Sequence, residues 1–164
     1  MTLRERVART SRTLAAVAAW RSLLSGASAG LVSLALAWPF TAGPGRTAAI
    51  AVALAAGGIA SWWSYRGLRG AGFTVESVAL WIEERIPSLG YGLVTAVERG
   101  APPGVESTVA GVDWTAVTRG AARKALLAPA IAVMAAVALL AGSMTMAPAI
   151  SRLAHRASPV PPAR

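Results

Sequence analysis

Glu83 and Glu84 are the first candidates for chemistry in this sequence, because neighbouring carboxylates invite acid–base work or a metal ion. On a helix, however, consecutive side chains point about 100° apart, so the pair does not converge on one site. A solvated acidic face is the better reading. His155 is the only histidine. A lone imidazole can ligate a haem or chlorin, but a surface histidine at a membrane edge is the plainer expectation. The segment Gly43-Pro-Gly-Arg-Thr47 lacks the spacing and the lysine of a phosphate-binding loop and reads as a turn. With no cysteine, disulfides, thiolate nucleophiles and Cys-ligated metals are ruled out. The expectation is a chain that is not an enzyme, with no catalytic, cofactor-binding or metal-ligating residue. The sequence identifies no small-molecule substrate.

The elements that position these residues follow from composition. The chain has 164 residues, 55% hydrophobic and 14% charged, with a mean hydropathy of +0.54. Soluble domains carry about 25% charged residues, so the membrane class comes first. The net charge of +9 does not point to nucleic acid, since the arginines sit beside apolar runs and form no basic face with interleaved aromatics. Three runs without Asp, Glu, Lys or Arg stand out: 23–40, 48–65 and 125–146. Even 18 residues cover roughly 27 Å as helix, enough for a hydrocarbon core. The first two runs, joined by the turn 41–47, form a transmembrane hairpin. A cleaved signal peptide or an organellar transit peptide is the rival reading of the first run. Its long leading region and the lack of a clear cleavage site weigh against that rival.

The fold expected is therefore an all-α integral membrane protein. It has three transmembrane helices, two as a hairpin, and a small cytoplasmic helical module at 66–124 between the second and third. A basic interfacial segment (1–22) precedes the hairpin, and a Pro-rich extracytoplasmic tail (147–164) follows the last span. Leu3, Val7, Leu14 and Val17 recur at near-helical spacing among arginines, which suits a helix lying on the inner leaflet. Lysine and arginine number 5, 1, 7 and 3 in the four segments outside the runs. By the positive-inside rule the N-terminus and the long loop face the cytoplasm and the C-terminus lies outside, in a bacterial inner membrane. Trp20, Trp38, Trp62 and Trp63 fall at span ends, where an aromatic belt contacts the membrane interface. Within the spans, Ser22, Gly26 and Gly30 form one row of small residues, and Ala49, Ala53, Gly57 and Ser61 form another. Such rows let helices pack closely, within the hairpin or against a partner.

The 66–124 segment is too long for a plain connection. Thr74 is placed to cap a helix through Val75, Val78, Ala79, Ile82 and Ile86, which Pro87 stops. Ser88 can cap a second helix through Val97, Gly100–Gly104 reads as a turn, and a third helix can begin near Ser107. The apolar stripe of Val78, Ile82 and Ile86, with Trp81 about 100° round, needs a covering surface. Docking of a partner is the preferred expectation for these four residues, and packing within the module is the alternative.

The stretch Trp81-Ile-Glu-Glu-Arg-Ile-Pro-Ser-Leu-Gly-Tyr-Gly-Leu-Val-Thr-Ala-Val-Glu98 resembles the N-terminal membrane region of a bacterial family catalogued only as a domain of unknown function. The resemblance is carried by Glu83, Glu84, Pro87, Leu89, Gly90, Leu93, Val94, Thr95 and Ala96. It implies the same order of two spans, a cytoplasmic helical motif and a third span. Larger members continue into a long extracytoplasmic part, which this sequence, ending at Arg164, is expected to lack together with its activity. The function expected is a non-enzymatic accessory or assembly subunit of a larger bacterial inner-membrane complex, for which respiratory and photosynthetic assemblies are natural hosts. Its partners are membrane lipids and other membrane subunits. The alternative is a membrane-anchored regulator or scaffold whose module docks a soluble partner.

Overall fold

The computed structural model describes residues 3–69, 72–86, 92–99 and 111–157, and every element among them is helical. Helix α1 spans Leu3–Ala37 and α2 spans Pro44–Arg69. Two short helices follow, α3 at Val75–Glu83 and α4 at Gly92–Arg99. The last helix, α5, spans Trp114–Ala157. Three of these, α1, α2 and α5, are long and apolar enough to cross a membrane. The expected cap at Ser88, the turn at Gly100–Gly104, the start near Ser107 and the end of the Pro-rich tail lie outside the described residues.

The chain divides into two compact units, one of Met1–Arg21 with Tyr65–Leu127, the other of Ser22–Ser64 with Ala128–Arg164. In the first unit, Thr74 begins α3 as foreseen. Its backbone is extended and its hydroxyl accepts from the Ser77 amide at 3.2 Å, satisfying one donor of the first turn. Glu76 adds a favourable negative charge near the same end. Asp113 does the same for α5, where Oδ1 accepts from the amides of Thr115 and Ala116 at 3.0 and 2.9 Å. Around these capped ends lies a core of Val7, Val78, Ala79, Ile82 and Leu93, with Leu14, Val75, Ile86 and Val94 packed against it.

That core changes the reading of the N-terminus. Residues 1–22 do not form a separate surface helix, because α1 runs unbroken from Leu3 to Ala37 and Val7 is fully buried in the core with α3 and α4 residues. No Pro or Gly interrupts the sequence between Leu3 and Gly26, so the helix has no local reason to break there. The hydroxyls of Thr10, Ser11 and Thr13 turn back onto carbonyls three or four residues earlier, at 3.0 to 3.1 Å, so they need no partner outside the helix. At the other end of the chain, α5 continues through Pro148 to Ala157, so the segment expected to begin an irregular tail at 147 is helical at first.

In the second unit the two rows of small residues meet. A Cβ on Gly57 would lie 2.9 Å from the Gly26 carbonyl oxygen, and one on Gly30 would lie 2.9 Å from that of Ala53. Ser61 Oγ donates to the Ser22 carbonyl at 2.9 Å, which seals one end of the seam. Ala49 and Ala53 are buried. Large apolar residues on the same helices, among them Leu36, Leu54 and Ile59, are mostly exposed, as a lipid-facing surface requires.

Candidate functional site

The first unit contains a cleft of about 800 Å³. Its floor begins at the turn before α3. Gly72 holds φ 55°, a left-handed conformation that a side chain disfavours, and its carbonyl accepts from the Ser77 hydroxyl. Thr74 then starts the helix, and α3 presents Val78 and Trp81 to the cleft. Leu14 and Val17 of α1, Leu68 of α2 and Phe73 complete the apolar walls.

Three cations line the same space, and each comes from a different segment: Arg21 of α1, Arg85 just after α3, and Lys124 of α5. No Asp, Glu or His is among the described residues that line it. Arg85 is held in place locally. Its guanidinium stands 3.9 Å from the centre of the Trp81 ring and donates to the Trp81 carbonyl at 3.4 Å. The stack gives the cation an aromatic face, and the hydrogen bond satisfies a carbonyl of the last turn. The cleft thus joins apolar walls to a cationic lining.

The four residues expected to dock a partner are divided by this arrangement. Val78 and Ile82 are 3% and 1% exposed, inside the unit's own core, and Ile86 packs against that core. Val78 and Ile82 are therefore covered within the chain by residues that include Val7 and Leu93, whereas Ile86 stays partly exposed. Trp81 remains half-buried and lines the cleft.

The acidic pair is also divided. Glu84 is exposed, but Glu83 is 6% exposed, which corrects the expectation of a solvated acidic face. Oε1 of Glu83 accepts from the amides of Leu93 at 2.6 Å and Val94 at 3.0 Å. These are the second and third residues of α4, so Glu83 caps a helix ten residues away. Its Oε2 is buried with no hydrogen-bond partner. Among the described residues no group of three or more His, Asp and Glu side chains is placed to hold a metal ion.

The tryptophans expected at the membrane interface are placed individually. Trp20, Trp62 and Trp63 are between 61% and 72% exposed, whereas Trp38 lies under Arg46, whose guanidinium is 4.9 Å from its ring centre. The cationic lining of the cleft escaped the sequence reading, although a signal was present. Arg21 stands two residues before the start of the first apolar run, Leu68 follows the second, and Lys124 directly precedes the third. Compared with protein-family models, curated proteins and solved structures, the chain has no significant match in any of the three.

Proposed function

We propose that this chain is a non-enzymatic accessory or assembly subunit of a bacterial inner-membrane complex. Its N-terminus and the segment between α2 and α5 face the cytoplasm, and its C-terminus lies outside. The observation that carries this proposal is the cleft's composition: apolar walls and three cations, with no acid or histidine among the described residues that line it. Such a lining suits holding an amphiphilic molecule in place. The exposed apolar flank of α5, including Ile131 and Met134, supplies a surface for lipid or a neighbouring membrane subunit. The orientation rests on the 5, 1, 7, 3 distribution of basic residues.

The regulator or scaffold reading is weaker, because two of the four residues that were to dock a soluble partner, Val78 and Ile82, are buried in the unit's own core. The likeness to the bacterial family of unknown function belongs to the same proposal and bears on topology alone. Extraction in mild detergent, followed by mass analysis of whatever co-purifies, tests the assignment. Stoichiometric membrane subunits are the expected result. A chain recovered alone under every mild condition, or with a soluble cytoplasmic protein only, overturns it.

A further inference from the structure

We infer that the cleft in the first unit is a binding site for one anionic phospholipid, with its phosphate on the cations and its proximal acyl chains on the apolar walls. Three separate segments deliver Arg21, Arg85 and Lys124 to one cavity, and no carboxylate is among the described residues that line it, so that described lining is complementary to an anion. The remaining walls, Leu14, Val17, Phe73 and Trp81, are apolar, so a small hydrophilic anion would leave them wet. An amphiphile satisfies both halves. The level in the membrane agrees as well. Arg21, Leu68 and Lys124 flank the ends of the three apolar runs, where a phospholipid headgroup meets the hydrocarbon core. Arg85 stacked on Trp81 gives the phosphate a pre-oriented donor on an aromatic support.

The inference concerns the isolated chain, so it stands or falls separately from the assembly role. Its test is native mass spectrometry of the full chain released from detergent micelles containing phosphatidylglycerol and phosphatidylcholine in equal amounts. One phosphatidylglycerol should be retained in clear preference to phosphatidylcholine. Arg85→Gln and Lys124→Gln should each weaken that retention about fivefold, the worth of one cation near an anionic headgroup. Lys124→Arg should restore most of it, and Arg85→Lys only part, since lysine keeps the charge and loses the oriented stack on Trp81. Arg46→Gln, at the hairpin turn and outside the cleft, should leave it unchanged. Far-ultraviolet circular dichroism on each variant separates lost binding from lost structure, and both cleft variants change exposed side chains. Equal retention of the two lipids overturns the inference. So does a loss as large in Arg46→Gln as in the cleft variants, which would mean bulk charge. Displacement of the lipid by inorganic phosphate would mark a free-anion site and overturn it too.

Discussion

Replacing Glu83 by alanine removes the acceptor of two helix-starting amides, those of Leu93 and Val94, and leaves a gap in a closed core. Glu83 is 6% exposed, so water does not readily take over the role. Hydrogen bonds to a charged group contribute about 1.5–3 kcal/mol each, but the buried charge and the unpartnered Oε2 offset much of that. Loss of a helix cap alone costs about 1–2 kcal/mol, and the one buried methylene lost adds about 0.8 kcal/mol. Glu83→Ala should therefore destabilise the unit by about 2–3 kcal/mol. Glu83→Gln keeps a carbonyl oxygen for Leu93 and Val94 and keeps the side-chain volume, while its bonds become neutral. It should cost about 1–2 kcal/mol. Hydrogen exchange at the Leu93 and Val94 amides reads the local effect, and denaturant unfolding in detergent reads the total. Faster exchange at those two amides in Glu83→Ala, with Glu83→Gln intermediate, is the expected result. Unchanged exchange in Glu83→Ala, or a glutamine variant as unstable as the alanine one, would refute the capping role.

Ile82→Asp should unfold the first unit and expose the segment between α2 and α5 to protease, at more than the about 2–5 kcal/mol expected for truncation to alanine, because Ile82 is 1% exposed in the core. A loop that stays protease-resistant in that variant would contradict the packing. Gly57→Ala should loosen the hairpin by about 1–3 kcal/mol, since its Cβ would stand 2.9 Å from the Gly26 carbonyl oxygen, whereas Gly58→Ala meets nothing within 4 Å and should be tolerated. Equal thermal stability of the two variants in detergent would argue against the seam. For topology, single cysteines at Thr2, Ser107 and Ser158 should react with an impermeant thiol reagent in intact cells only at position 158. Labelling at 107 but not at 158 would invert the orientation.

The membrane helices were legible because their signal is local. An apolar run free of Asp, Glu, Lys and Arg states its own environment, and the Thr74 cap is written in four consecutive residues. The rows of small residues were equally visible, although which surface each row meets is a question of tertiary structure. The first unit was harder. Its core joins Val7 to Ile82 and Leu93, positions more than seventy residues apart at the extreme, and no periodicity within one helix reports its neighbour. An amphipathic α3 stripe looks the same whether a partner or the chain's own N-terminus covers it. The cleft was missed for a related reason. Arg21 and Lys124 were read as topology signals at the membrane edge, and such a signal does not say that the charges share a cavity.

The acidic pair shows how one local rule can be right and its conclusion wrong. Adjacent helical positions do diverge, and Glu83 and Glu84 point to different surroundings, one buried and one exposed. Divergence excludes a shared site, yet it does not place both carboxylates in water. The missing consideration is the demand made by α4. That helix opens at Gly92, and the residue before it, Tyr91, lacks the short acceptor side chain that ordinarily caps a first turn. Unsatisfied amides at a buried helix end require an acceptor from elsewhere. The last residue of α3 faces the core that α4 completes, so a glutamate at 83 meets that demand and a glutamate at 84 does not.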